Sequence, residues 1–118
     1  SETEPTLPEP PIEPTFSLYY SGNHGFGDGP SGSVQSVDFS KKSNLKIGDT
    51  ITATMTVIYD IPDTTGNYSQ ETVVYHFSHT ISESDFEESP MGTEITLYAA
   101  DDYNTVWISF VLSSHQLS

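Results

Sequence analysis

A strict alternation of apolar and polar residues runs through the middle of the chain, between residues 50 and 60. The odd positions are apolar, and the even positions at 50, 52, 54 and 56 are all threonine. A period of two is typical of a strand with one side in a core and the other in water. Threonine suits the solvent side, because its branched β-carbon fits the pleat of a sheet. The pattern predicts a long strand at 50–61.

Similar alternation, separated by turn residues, predicts further strands along the chain. These lie at 16–20, 33–39, 70–81, 93–100 and 105–113. The alternation breaks near Gln35 and Ser36, which is typical of a β-bulge. A tight turn at 101–104 joins the last two strands as a hairpin, and the glycine-rich residues 21–33 predict a long irregular loop.

Strands of this length and spacing indicate the fold class. About seven short strands, with turns every eight to twelve residues or so, are typical of an antiparallel β-sandwich. We therefore predict an all-β, immunoglobulin-like sandwich at residues 16–118. The chain has 118 residues and no cysteine, so one domain must bury its core without disulfides or a thiolate zinc site.

The first fifteen residues differ in composition from the rest of the chain. Proline recurs at every third position from residue 5 to residue 14, as along one edge of a polyproline II rod. Residues 1–15 are thus predicted to form an extended arm, either a solvated spacer or a docking arm that orders against another subunit. As a docking arm it would be anchored by Leu7, Ile12, Phe16 and Leu18.

The charge balance excludes several classes of partner. The chain carries 17 acidic residues against three lysines and no arginine, for a formal net charge of −14. Binding to nucleic acid or to anionic lipid requires a cationic surface, which these residues cannot supply. No stretch approaches the ~20 apolar residues of a membrane-spanning helix. We expect neither a nucleic-acid partner nor membrane insertion.

An acidic surface does attract cations, and structural calcium is the ion that the sequence favours. Hard oxygen ligands lie on two predicted loops, which could converge at one end of a sandwich. They are Asp60, Asp63, Asp101, Asp102 and Asn104, with Asn67 on the first loop. Aspartate and asparagine are also ordinary turn formers, which is the alternative interpretation of the same residues. No other cofactor is predicted.

Strand parity separates the aromatic residues into core and surface positions. If Val106 and Ile108 face the core, Trp107 faces outward, and the same test places Tyr98 and Tyr19 outside. Exposed aromatic rings on a sheet can form a subunit interface or a platform for sugar rings. The alternative is that a loop or the arm folds over them.

Patterns typical of catalysis are missing from the sequence. There is no G-x-S-x-G nucleophile elbow, and the run Gly25–Gly29 lacks the lysine and the following helix of a phosphate loop. His76 and His79 are three apart on a strand and point to opposite faces. We predict that the protein is not an enzyme. Asn67-Tyr68-Ser69 is a candidate N-glycosylation sequon at Asn67.

The segment Leu45–Val57 resembles a sequence pattern of bacterial immunoglobulin-like surface modules, in which a Lys/aliphatic-Gly-Asp turn precedes a strand with threonine at alternate positions. It is also similar to parts of cohesins, pilin-like subunits and carbohydrate-binding sandwiches. The turn follows from Gly48, which permits it, and Asp49, which caps it. The resemblance implies a sandwich outside the cytoplasm and carries no catalytic or binding residue with it.

These observations lead to one functional prediction with two alternatives. The prediction is a non-enzymatic extracellular or cell-surface module, a subunit of a surface filament or adhesin. It would associate with its own copies or other surface proteins through its arm and a sheet edge. The alternatives are a carbohydrate-binding module, with a glycan as partner, and a virion decoration or spike protein.

Overall fold

The computed structural model describes residues 13–115, and these form seven strands and one 3-10 turn at Glu83–Phe86. The strands are β1 (Thr15–Tyr19), β2 (His24–Phe26), β3 (Gly32–Phe39), β4 (Thr50–Pro62), β5 (Tyr68–Thr80), β6 (Gly92–Ala100) and β7 (Thr105–His115). The described part of the chain contains no α-helix. The predicted all-β class is confirmed. The predicted arm anchors Leu7 and Ile12 lie outside the described residues.

The strands form two antiparallel sheets that pack on a shared core. In sheet A, β7 lies between β6 on one side and β1 followed by β2 on the other. In sheet B, β4 lies between β3 and β5. Constant-type immunoglobulin domains place strands A, B, E and D in one sheet and C, F and G in the other. The order found here differs, because sheet B is a meander of three consecutive strands.

Strand β2 is the element that the sequence did not predict. It has three residues and lies inside the segment that glycine content marked as a loop. It continues the line of β1 along β7, after a short interruption in which the Ser109 amide donates to the carbonyl of Asn23 at 2.9 Å. Strands this short carry too few residues for a period of two to be recognised.

The core contains the residues that alternation assigned to it. On β4 every odd residue from Ile51 to Tyr59 is at most 2% exposed. From sheet A, Val106, Ile108 and Leu112 are fully buried against them. Each such side chain contributes roughly 1.5–3 kcal/mol when it leaves water. The predicted bulge in β3 is confirmed as a register shift between Val34 and Ser36.

The connection from β3 to β4 covers the outer edge of β1. The Phe16 amide donates to the carbonyl of Leu45 at 2.8 Å, and the Leu45 amide returns a bond to Phe16 at 3.0 Å. The Leu18 amide donates to Lys42 at 2.8 Å. The turn into β4 is closed by the Asp49 carboxylate, which accepts from the Lys46 amide at 2.9 Å. Sheet A therefore has no free edge along β1.

Candidate functional site

The outer side of sheet A carries the three aromatic residues that parity placed on the surface. Tyr98 and Trp107 are direct cross-strand partners on β6 and β7, and Tyr19 is the partner of Val111 on β1 and β7. Partners across an antiparallel pair point to the same side of the sheet. We call the surface formed by Tyr19, Tyr98, Trp107 and Val111 the aromatic face. Tyr98 is 70% exposed and Tyr19 is 68% exposed.

Trp107 is half-buried on this face, because its indole packs against strand β2. Gly25 is its direct partner on β2. A β-carbon at Gly25 would fall 2.5 Å from the indole nitrogen of Trp107, so the ring rests directly over the glycine backbone. The glycine segment thus partly covers Trp107 and leaves Tyr19 and Tyr98 uncovered.

The centre of the aromatic face is polar and nearly free of charge. The Thr96 and Ser109 hydroxyls share a hydrogen bond of 3.0 Å, and Ser109 is 3% exposed. Glu94, the cross-strand partner of Val111, is the one carboxylate among the outward positions of β6 and β7. In a chain with a net charge of −14, this low charge density distinguishes the face from both ends of the sandwich.

A chain of tyrosine hydroxyls connects the two sheets at the end formed by the turns 63–67 and 101–104. The Tyr59 and Tyr75 hydroxyls are 2.6 Å apart, and Tyr75 donates to Asp101 Oδ1 at 2.9 Å. Beside them the Tyr103 hydroxyl donates to Glu71 Oε2 at 3.0 Å. Sequence analysis missed this network, because parity predicts that Tyr59 and Tyr75 are buried but not that their hydroxyls meet.

Burial and hydrogen bonding set the protonation of Tyr75, Tyr103 and Tyr20. Desolvation raises the pKa of Tyr75 far above its usual range, and the bonds to Tyr59 and Asp101 act in the same direction. The bond to the Glu71 carboxylate raises the pKa of Tyr103. Burial raises the pKa of Tyr20, whose hydroxyl lies 2.7 Å from His24 Nδ1. All three phenols remain neutral at physiological pH.

The oxygens proposed for calcium are engaged by donors of the chain itself. Asp63 Oδ1 accepts from the amides of Thr65 and Asn67 and from the Thr65 hydroxyl, and these bonds lower its pKa. Asp101 Oδ1 accepts from Tyr75 and from the amides of Tyr103 and Asn104. Among residues 13–115, no group of three or more histidine, aspartate or glutamate side chains is placed to hold a metal ion.

The remaining residues of the calcium prediction are dispersed over the same end of the sandwich. Asp60 lies near the end of β4, and Asp102 is exposed in the β6–β7 turn. Asn104 is 7% exposed, and its Oδ1 accepts from the amides of Gly29 at 3.3 Å and Thr105 at 3.0 Å. Asn104 therefore attaches the glycine-rich segment to the turn. Structural calcium stays a prediction.

The other predicted site residues lie in separate places. Asn67 is exposed in the β4–β5 turn, where its side-chain amide donates to the Thr65 hydroxyl at 3.2 Å. N-glycosylation there stays a prediction. Phe16 and Leu18, named as arm anchors, lie within β1 and are 3% and 6% exposed. Phe16 stacks on Phe86 with ring centroids 4.3 Å apart, so both anchors occupy the core of their own chain.

Comparisons with known proteins add nothing to this geometry. No protein-family model matches the chain, and no curated protein or solved structure was found to be similar to it. Within the described residues, no helix has the length and apolar character needed to cross a membrane.

Proposed function

We propose that this protein is a non-enzymatic assembly module outside the cytoplasm, a subunit of a surface filament or adhesin that associates with its own copies. The observation that carries the proposal is the aromatic face, with two tyrosines about 70% exposed on a sheet surface of very low charge. Tyrosine and tryptophan concentrate at the centres of protein interfaces, and a contiguous exposed apolar patch often marks an interaction site.

The charge distribution supports this choice of surface. Both ends of the sandwich carry carboxylates, including Asp63 and Asp101 at one end and Glu83 and Glu87 at the other. Two copies that met end to end would bring like charges together, which opposes contact. Two copies that met through the aromatic face would bring together rings and hydroxyls, with Glu94 at the margin.

The resemblance of Leu45–Val57 to bacterial immunoglobulin-like surface modules supports the class of function rather than the strand order.

The proline-rich arm is part of the proposal as a second element of assembly. Since β1 begins at Thr15, a truncation that tests the arm should remove residues 1–12 and leave Glu13, whose carboxylate lies 3.9 Å from Lys46 Nζ.

The proposal is tested by sedimentation velocity and negative-stain microscopy over a wide concentration range. We expect oligomers or polymers of the full chain, which are reduced to dimers or monomers when Tyr19 and Tyr98 are both changed to serine. The matched control is Ile47→Ser, because Ile47 is 40% exposed in the β3–β4 connection, outside the aromatic face and outside both sheets. A full chain that is monomeric at every concentration, or equal association of the two variants, would overturn the proposal.

One observation favours a second function, the binding of a neutral glycan. The exposed Thr96 hydroxyl and the Glu94 carboxylate lie on the same face as the aromatic rings, and this combination suits stacking on a sugar with hydrogen bonds at its edge. Affinity electrophoresis through gels that contain soluble neutral polysaccharides tests it. Retardation that is lost on Trp107→Ala and kept in Ile47→Ser would favour the glycan over self-assembly.

A further inference from the structure

The edges of the two sheets differ in how they are protected. The edge at β1 is covered by residues 42–45, the edge at β3 is interrupted by a bulge, and β2 has only three residues. Natural sheets use covering segments, bulges and short edge strands to prevent edge-to-edge pairing. Among the described residues, none of these devices is found at β5 or β6.

Strand β5 is the longest of these edges and the most regular. It pairs with β4 through all 13 of its residues without a register shift. Among residues 13–115, no other strand or loop forms a backbone hydrogen bond with β5. It contains neither proline nor lysine, which commonly interrupt pairing at exposed edges. Val74, at its midpoint, is 47% exposed.

We propose that β5 pairs with the β5 strand of a second copy, antiparallel and around a two-fold axis at Val74, so that two copies of sheet B form one continuous six-stranded sheet. The inference deepens the proposed function, and it rests on the premise that the chain self-associates. A contact of this kind is isologous, because the same strand serves both subunits. Backbone groups that now lack a strand partner would complete an antiparallel ladder.

The side chains of β5 are compatible with this register. Val74 would face Val74 of the second copy, and Thr72 would face His76. Glu71 is the only acidic residue between 68 and 80, and it would face Phe77 rather than another carboxylate. Directly opposed like charges destabilise a strand pair, and this register contains none.

Antiparallel pairing also keeps the acidic turns of the two copies apart. The turns at 63–67 and 101–104, with their carboxylates, lie at the same end of each sandwich. A 13-residue strand spans roughly 45 Å, so the two sets of turns would be separated by about that length. Each set of turns would instead lie beside the Glu83–Phe86 end of the other copy, which is also acidic, so this pairing should strengthen as salt shortens the screening length to about 8 Å at physiological ionic strength.

Disulfide trapping tests the register, because the chain has no cysteine of its own. At the two-fold axis Val74→Cys would face its own copy at a Cα separation of about 4.5–5.5 Å, which a disulfide can bridge. Ser78→Cys is the matched control, since it is exposed on the same side of β5 but would face Gln70. Thr72→Cys is a second control.

The rate of covalent dimer formation under mild oxidation decides the outcome. At about 10 µM protein we expect Val74→Cys to be faster than Ser78→Cys by a factor on the order of 100, because paired thiols meet at millimolar effective concentration. Equal rates for the two variants, or faster trapping of Thr72→Cys, would overturn the proposed pairing. The same assay in the Tyr19→Ser, Tyr98→Ser background separates the two surfaces: trapping that persists there supports the edge contact even if the aromatic face fails its own test.

Hydrogen exchange of the unmodified chain gives a second measurement that needs no variant. The outward amides of β5 should become protected as protein concentration rises, while the amides of β3, at the other edge of sheet B, should not change. Exchange of β5 that stays constant while sedimentation shows dimers would refute the proposal.

Discussion

At the scale of single residues, Tyr75 links the two sheets most directly. Its hydroxyl lies between the buried hydroxyl of Tyr59 on β4 and the Asp101 carboxylate at the end of β6. Tyr59 is fully buried, and a buried hydroxyl that loses its partner costs about 1–3 kcal/mol. The contribution of this hydrogen bond should therefore be measurable in the free energy of unfolding.

We predict that Tyr75→Phe lowers the free energy of unfolding by about 1–3 kcal/mol, as measured by urea denaturation. The loss has two causes, since the variant removes the partner of Tyr59 and one donor to Asp101. Tyr103→Phe is the control, because its bond to Glu71 is exposed, and we expect a change within about 0.5 kcal/mol. Equal losses in the two variants would show that the buried hydroxyl chain has no special role.

Because of the same Tyr75 hydroxyl, we expect the stability of the fold to fall at alkaline pH. Burial and hydrogen bonding keep Tyr75 neutral in the fold, whereas in the unfolded chain it would ionise near the ordinary pKa of 10.0. The unfolded state then releases a proton that the folded state retains, so stability is complete below that pH and declines above it. Between about pH 9 and pH 11 the midpoint of thermal unfolding should fall, and it should fall less in Tyr75→Phe. A parallel decline in both proteins would assign the effect to other groups.

At the scale of elements, strand β2 determines how much of Trp107 is exposed. The strand is three residues long, and its glycine at position 25 leaves room for the indole. The glycine-rich segment that follows is attached to the β6–β7 turn by the hydrogen bond from the Gly29 amide to Asn104 Oδ1. It also packs closely against that turn, since a β-carbon at Gly29 would lie 2.2 Å from the carbonyl oxygen of Tyr103. Its glycines thus serve close packing as well as chain reversal.

Gly25→Ala should displace the indole of Trp107 and expose it to water. Trp107 is the only tryptophan, so its fluorescence emission reports the change directly, and we expect a shift to longer wavelength. The cost in stability should be about 1–3 kcal/mol, as for other overpacked sites. Gly66→Ala is the control, because an alanine at φ +87° would also be strained but nothing lies within 4 Å of the added carbon. Its emission should equal that of the unchanged protein.

At the scale of the whole molecule, the net charge of −14 opposes both folding and association. The three lysines all lie in the β3–β4 connection, and the strands of both sheets contain no lysine or arginine. Removal of residues 1–12 would remove Glu2, Glu4 and Glu9 and leave a net charge of −14 + 3 = −11. The repulsion between copies should therefore decrease when salt is added and, less strongly, when residues 1–12 are removed.

We predict that sodium chloride strengthens self-association, as followed by sedimentation velocity. Between about 0.01 M and 0.15 M salt the screening length falls from about 30 Å to about 8 Å, so repulsion between acidic copies weakens. Val74→Lys should reduce association at every salt concentration if the β5 edge is the contact. Ser33→Lys is its control, since it makes the same change of charge at the exposed edge strand β3. Association that weakens with added salt would contradict this account.

The sequence by itself determined the strands with strong alternation and the side of each that is buried. The β4 residues at odd positions and the outward placement of Tyr19, Tyr98 and Trp107 all followed from a period of two, because that period is a local property of an extended backbone. The bulge in β3 and the turn at Asp49 were also predicted from the local sequence. None of these features needs knowledge of which strands are neighbours.

Only the tertiary structure decided which strands pair and what lies against them. The meander of sheet B, the edge covered by Leu45, the meeting of the Tyr59 and Tyr75 hydroxyls and the place of Gly25 beneath Trp107 are contacts between segments far apart in the chain. Alternation states that a face is buried but not against which partner, since many sheet arrangements bury the same apolar sides. The exposed edge of β5 is visible only once every other strand has its neighbours.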